Sequence, residues 1–275
     1  MNTSPIISVS EAADLIQKGA ILLDASIDKV NEKLDNNPIE LLPNSYFFDI
    51  EGALSDHNTG LPHSMVNEQV FTTVMQEIGI NQDSVVIVYD RWGLYSSPRA
   101  WWMLTYMGLE KVLVLHGGLP AWKESGRSIA HAYSKASKPG NFTAKAQQAR
   151  LTTKEAIEKL LDSNTSQILD ARSEGRFDAT AAEPRAGLPS GHIPGSKNLP
   201  FDKLLHGYYF KDDLELKKLF EDRIQRDKPT IFSCGSGITA SILALAAYHL
   251  GHRQISVYDG SWTEWASDPK ARIEK

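Results

Sequence analysis

The chain has 275 residues, 41% of them hydrophobic and 23% charged; this fits one large or two ordinary soluble domains and excludes global disorder. Its net charge of −5 argues against nucleic-acid binding, which normally shows as a basic surplus, and no apolar run reaches the ~18 residues of a membrane span. A single cysteine excludes an internal disulfide, a CxxC redox pair and a multi-cysteine zinc site, leaving Cys234 as either a buried small hydrophobe or a lone nucleophile.

Residues 1–20 lack a basic flank and carry Glu11 and Asp14, so they do not read as a secretory leader; the expected compartment is the cytoplasm. Ser8-x-x-Glu11 is a capping box, in which hydroxyl and carboxylate satisfy the free backbone donors of a helix start. A short amphipathic helix and the apolar strand Ile21–Asp24 follow, then extended segments at 43–50 and 84–90. The spacing predicts a helix over 98–107 that stops at Gly108, then a last strand within 111–122. Residues 131–148 are small and polar, as a linker requires.

The pattern then begins again. Thr152-x-x-Glu155 reads as a second capping box, followed by a helix and the strand Gln167–Asp170. Segments 194–201 and 229–235 repeat the earlier extended pieces, a helix over 241–250 stops at Gly251, and 254–265 closes the copy. Equivalent positions lie 143 to 146 residues apart: Glu11 and Glu155, Asp24 and Asp170, Asp90 and Cys234, Trp122 and Trp265. The exception is Pro43 and Pro194, because the second copy carries a longer loop over 172–193. Strands alternating with helices at this spacing predict βαβ units. The expected fold class is α/β, with two similar domains, each a parallel sheet flanked by helices. Their expected bounds are 1–132 and 148–275, with 133–147 as the linker. Duplicated domains often place an active site at their interface.

The copies differ most at one strand-to-helix loop. The second copy reads Ser233-Cys234-Gly235-Ser236-Gly237-Ile238-Thr239-Ala240; the first has Asp90 where the second has Cys234. Two glycines and several small residues, ahead of a helix starting near Ala240, would let the backbone turn its N–H groups on one point. A free thiol, with its pKa near ~8.5, is about a tenth thiolate at pH ~7.5. A helix terminus and several donors would shift that balance toward the anion. A cysteine phosphatase would need arginine six residues after the cysteine, where Ala240 stands. Gly235-x-Gly237-x-x-Ala240 with Asp259 further on matches a dinucleotide fingerprint. However, only 16 residues follow Asp259, too few to complete a doubly wound sheet.

With these residues the chain resembles the tandem-domain rhodanese-type sulfurtransferases over nearly its whole length. The Cys-Gly-Ser-Gly-Ile-Thr loop is similar to that of the subgroup acting on 3-mercaptopyruvate. Thiosulfate-using members usually carry an Arg-Lys pair where this chain has Gly235 and Ser236. Gly191-His192-Ile193-Pro194-Gly195 resembles a structural signature of the family, with His192 an internally satisfied turn residue. Residues 47–51 and 94–99 resemble first-domain segments of the same subgroup; Trp101 and Trp102 read as core and interface packing.

The resemblance implies transfer of sulfur from 3-mercaptopyruvate to Cys234, giving a persulfide, with release of pyruvate. It implies Arg176 and Arg185 as the carboxylate's holders, which suits a guanidinium fork. Gly235, Gly237, Ile238 and Thr239 would complete the substrate site. A proton relay would run from Ser236 to His63 and Glu51, with Asp49 competing as the acid. The acceptor would be a thiol such as thioredoxin or glutathione, or cyanide, and no metal or organic cofactor is expected. Two other readings stay open: a thiosulfate sulfurtransferase, and a non-catalytic sulfur carrier or binding module.

Overall fold

The computed structural model describes residues 4–161 and 166–275. The start of the N-terminal stretch and the end of the second copy's first helix-to-strand segment lie outside the described residues. The first half runs β1 (Ile6–Ile7), α1 (Val9–Gln17), β2 (Ile21–Asp24), β3 (Ser45–Phe47), α2 (Glu68–Ile78), β4 (Val86–Tyr89), α3 (Ser97–Tyr106), β5 (Val112–Leu115) and α4 (Gly118–Glu124). Its strands form one sheet in the order β1-β5-β4-β2-β3, every neighbouring pair parallel.

The second half runs β6 (Leu151–Thr152), α5 (Lys154–Leu160), β7 (Gln167–Asp170), α6 (Glu174–Phe177), β8 (Lys197–Asn198), β9 (Leu205–His206), β10 (Tyr209–Phe210), α7 (Asp213–Glu221), β11 (Thr230–Ser233), α8 (Ile238–His249), β12 (Ile255–Tyr258) and α9 (Ser261–Ser267). Its parallel sheet has the order β6-β12-β11-β7-β8, the first sheet's order repeated. The short helix α6 and the antiparallel hairpin β9–β10 are additions to this half. α6 lies in the long loop that the sequence singles out.

Local chemistry explains most boundaries. Ser8 caps α1 and Glu11 returns the bond to Ser8, a complete capping box. The second box falls elsewhere than expected: the cap of α5 is Thr153, whose hydroxyl accepts from Ala156. Thr152 belongs to β6, where its hydroxyl bonds Ser256 Oγ at 2.6 Å. Helix α8 also starts earlier than expected, at Ile238. Gly237, with φ +80°, supplies the left-handed turn that lets it begin there. Gly108 and Gly251 end α3 and α8 with φ of +91° and +96°.

The halves meet along α3 and α8. Trp101 on α3 packs against Tyr248 on α8 with ring centroids 5.3 Å apart, and Trp102 Nε1 donates to the Arg150 carbonyl at 3.0 Å. Both tryptophans are buried; each such side chain removes roughly 200 Å² from water, worth about 5 kcal/mol of transfer free energy. The hairpin reaches back across the interface, where the Phe210 N–H donates to His116 Nε2 at 3.0 Å. The connecting segment is not a free tether. Phe142 is fully buried, and the N–H groups of Lys145 and Gln147 donate to Met107 and Tyr106 carbonyls at 2.9 and 2.7 Å. This interface brings loops from both halves over the end of β11.

Candidate active site

Cys234 follows β11 directly and is 1% exposed. Its carbonyl and that of Gly235 accept from Trp262 and Thr263 N–H groups at 2.9 and 3.1 Å, at the start of α9. With those carbonyls turned toward α9, the loop is fixed from behind. Ser261 adds a second anchor: its Oγ accepts from the N–H groups of Cys234 and Gly237, each at 3.2 Å, and donates to the Tyr258 carbonyl at 2.7 Å. So two of the loop donors expected to face an anion serve the loop itself. Among the described residues, no protein acceptor takes the N–H groups of Gly235, Ser236, Ile238 or Thr239. These four remain for a ligand, at a helix start that favours negative charge.

A pocket of about 350 Å³ opens over this loop and draws on both halves. The second half supplies Cys234, Gly235, Ser236, Ile238, Thr239, Arg176 and Arg185; the first supplies His63, Glu51, Tyr95 and the rim 27–30. Every site residue expected from the sequence therefore lines one pocket, with one correction. Gly237 is not a wall. Its backbone turns away to Ser261 and packs on Arg99, so its contribution is conformational. A larger cleft of about 630 Å³, around Trp101, Arg150 and Tyr248, contains neither the thiol nor any of these residues.

The two arginines are not equivalent. Arg176 donates through Nε and Nη2 to Glu183, at 3.1 and 2.6 Å. Glu183 also takes Arg172 Nη1 at 2.7 Å, and Arg172 pairs with Asp170. Two cations and two carboxylates thus balance beside the pocket. Arg185 donates to Thr263 Oγ1 at 3.2 Å, and among the described residues no carboxylate pairs with it. It is the uncompensated cation of the site. Both guanidinium groups lie over Gly235, where an added Cβ would meet Arg176 Nη2 at 3.1 Å and Arg185 Nη1 at 3.6 Å.

His63 reaches across from the first half. Its Nδ1 lies 3.0 Å from Ser236 Oγ and its Nε2 3.4 Å from Glu51 Oε1. Burial pushes the imidazole down to about 4, helped by the Arg99 and Arg185 charges, so the ring is neutral at physiological pH. With Glu51 accepting at Nε2, Nδ1 is the acceptor for the Ser236 hydroxyl. Glu51 is pushed above the ordinary carboxylate value by burial, then by Asp28 and Asp49. Asp49, the competing acid, instead accepts from Gly52 and Ala53 N–H groups at 2.8 and 3.0 Å. Tyr95 is pushed up to about 12, chiefly by burial, and keeps its proton.

Sequence reasoning missed Tyr95 as a wall, along with Ser261, Thr263 and Glu183. Glu183 stands two residues from Arg185, so an acid within the arginine-bearing loop was the available signal. His192 behaves as expected: Nδ1 lies 3.0 Å from the Phe177 carbonyl and its ring stacks on Phe177.

Two repeated parallel sheets, with a thiol-bearing loop in the second only, define a duplicated α/β transferase scaffold. The rhodanese-like domain family matches this chain twice, over residues 8–125 and 153–268, and the chain belongs to that family. It is 41% identical over 240 residues to the 3-mercaptopyruvate sulfurtransferase of Escherichia coli K12, covering 85% of this chain and 83% of that one. It is 39% identical over 300 residues to the mitochondrial thiosulfate/3-mercaptopyruvate sulfurtransferase 1 of Arabidopsis thaliana, covering 99% and 78%. The crystal structure of SseA from Escherichia coli, described among 3-mercaptopyruvate sulfotransferases, superimposes with a TM-score of 0.84. It is 35% identical, with 94% of this chain and 99% of that chain covered. Among the described residues no helix is long and apolar enough to cross a membrane.

Proposed function

We propose that this protein is a sulfurtransferase that takes sulfur from 3-mercaptopyruvate onto Cys234 and passes it to a thiol or to cyanide. The observation that carries this reading is the two-domain pocket: one buried thiol, four loop N–H groups without a protein acceptor, one uncompensated arginine and a neutral histidine.

The donor's carboxylate pairs with Arg185, supported by Arg176. The Cys234 thiolate attacks the donor's thiol sulfur, so an S–S bond forms as the C–S bond breaks. The electron pair of that bond leaves on the carbon skeleton as the enolate of pyruvate. Ionisation of the new terminal S–H releases one proton, and the enolate carbon takes one, so the step balances without outside acid. Ser236 and His63 carry that proton, with Glu51 on the far ring nitrogen. The persulfide is held by the N–H groups of Gly235, Ser236, Ile238 and Thr239. A thiol such as thioredoxin or glutathione, or cyanide, then removes the outer sulfur and restores Cys234. Two half-reactions on one nucleophile give ping-pong kinetics.

Thiosulfate is a second donor candidate, because two Arabidopsis thaliana relatives carry both substrates in their names. A single uncompensated cation suits a monocarboxylate better than a compact dianion. The test is intact-mass spectrometry after incubation with 3-mercaptopyruvate without acceptor. A gain of about 32 Da, one sulfur atom, is expected on the wild type and not on Cys234→Ala; no gain on the wild type refutes the reading. A larger kcat/KM with thiosulfate than with 3-mercaptopyruvate would overturn the choice of donor.

A further inference from the structure

Arg99 projects from α3 of the first half and is fully buried. Its Nη2 donates to the His63 carbonyl at 2.7 Å and to Asp259 Oδ1, in the second half, at 2.6 Å. The other carboxylate oxygen, Oδ2, accepts from the Met65 N–H at 2.8 Å. Segment 63–65 is therefore gripped at both ends, its carbonyl by the arginine and its amide by the arginine's partner. His63 has φ +59°, a left-handed conformation that costs a non-glycine residue roughly 1–2 kcal/mol. Such strain persists only where surroundings over-determine it. The Arg99 guanidinium lies 4.5 Å from the Trp102 ring centroid. Its Nη1 packs on Gly237, where an added Cβ would sit 2.8 Å away. Arg99 thus touches both sides of the Ser236–His63 contact: the histidine's own backbone and the residue after the serine.

For stability alone this arrangement is poor. Among the described residues Nε and Nη1 of Arg99 have no hydrogen-bond partner, and burying a charge with orphan donors is generally no better than an apolar replacement of the pair. We infer that Arg99, through its pairing with Asp259, is a positioning residue for proton transfer, holding His63 of one domain in reach of Ser236 of the other. This inference rests on the relay proposed above. The groups facing His63 are Arg99, Arg185 and Asp259, with Ser236 and Glu51 at its ring nitrogens.

The test combines pyruvate-release kinetics, thermal unfolding and a histidine NMR titration. Arg99→Met/Asp259→Asn removes both charges together, so no lone charge is buried. Its Tm should stay near that of the wild type while kcat falls about 10²-fold, the cost of ~1 Å of misplacement. KM for 3-mercaptopyruvate should stay within about twofold, because the pair makes no contact expected to bind the ground state. The His63 imidazole titration should move up from its depressed position, and Arg99→Lys should recover part of kcat.

His63→Gln alone should lower kcat about 10²-fold, and adding it to the double variant should lower kcat no further. Losses that multiply on combination, or a fall in Tm with kcat unchanged, overturn the inference. A fully active His63→Gln refutes the relay and leaves Arg99 nothing to position. An impaired His63→Gln beside a fully active double variant spares the relay and refutes this inference alone. If the double variant does not fold, Asp259→Asn carries the kinetic and NMR arms without the Tm arm, since it weakens the grip on Met65 but leaves the Arg99 charge unpaired.

Discussion

Replacing Arg185 with alanine is the sharpest probe of the substrate site. Arg176, Arg172, Glu183 and Asp170 form a charge-balanced cluster, so Arg185 carries the net positive charge that a carboxylate would meet. Among the described residues its one hydrogen bond to protein is the 3.2 Å contact with Thr263 Oγ1, a single long contact on which little stability should rest. Hydrogen bonds to charged groups are worth roughly 1.5–3 kcal/mol. Losing one or two here should lower kcat/KM by about 2–3 kcal/mol, or roughly 30- to 150-fold. The loss should appear in KM, because the carboxylate is bound alike in ground and transition states. Arg185→Lys keeps the charge without the fork and should recover part of it. Pyruvate release at saturating acceptor measures both constants, and Tm should barely change. Arg176→Ala should differ: Glu183, 2% exposed in its side chain, would keep only Arg172, and stability should fall together with activity. A KM for Arg185→Ala within twofold of the wild type would refute this assignment.

Three further outcomes follow from the geometry. Asp90 is fully buried, and its carboxylate accepts from the N–H groups of Trp92, Tyr95, Ser96 and Ser97 and from the Ser97 hydroxyl, at 2.7–3.0 Å. Asp90→Ala should therefore destabilise the first domain by about 3–5 kcal/mol, seen as a lower urea midpoint; an unchanged midpoint would contradict the donor count. His63 is depressed from 6.5 to about 4, so the unfolded chain binds a proton that the fold refuses. Stability is then intact above pH ~6.5 and declines by roughly 3 kcal/mol as pH falls toward ~4. His63→Gln should flatten that decline in urea titrations across this range, and an identical slope would exclude His63 as its source. Ser261 has φ +50°, so Ser261→Gly relieves strain while removing the hydroxyl that takes the Cys234 and Gly237 N–H groups. Tm should move little and kcat should fall about tenfold, as for a modest misplacement of the nucleophile; an unchanged kcat would show that α9 alone fixes the loop.

What was legible in the chain was what depends on near neighbours. The strands Ile21–Asp24 and Gln167–Asp170 match to the residue, because a short apolar run ending in an acid admits one reading. The cysteine loop was legible because the duplication supplied its own control in Asp90. The cap of α5 was misplaced by one residue because Thr152 and Thr153 are both competent, and only pairing with β12 removes Thr152 from the contest. Tyr95 and the rim 27–30 join the pocket by crossing the domain interface, and no local pattern reports which first-domain loop will face the second domain's thiol. Ser261 was invisible for another reason. Its role needs a positive φ on a residue with a side chain, and a sequence signals that conformation only when it writes glycine.

Comparing the two loops shows what the thiol replaced. Gly118 and Ser261 are equivalent and share the same backbone turn, with φ of +52° and +50°. Leu119 and Trp262, the next residues, donate their N–H groups to the carbonyls of Asp90 and Cys234. The frame behind both loops is therefore the same. In the first, residues 90–96 wrap the carboxylate of Asp90, which satisfies the donors of the helix start from inside. In the second, the loop is three residues shorter, β11 ending at Ser233 and α8 starting at Ile238, against Tyr89 and Ser97. The side chain at its head is a neutral-sized thiol that cannot fill the same role. The N–H groups of Gly235, Ser236, Ile238 and Thr239 keep no protein acceptor among the described residues. An anion borne on the cysteine sulfur meets there what the Asp90 carboxylate meets in the first domain. The copy without a thiol thus carries a built-in carboxylate side chain at the position where the cysteine-bearing copy would, on the proposed mechanism, hold a transient anion.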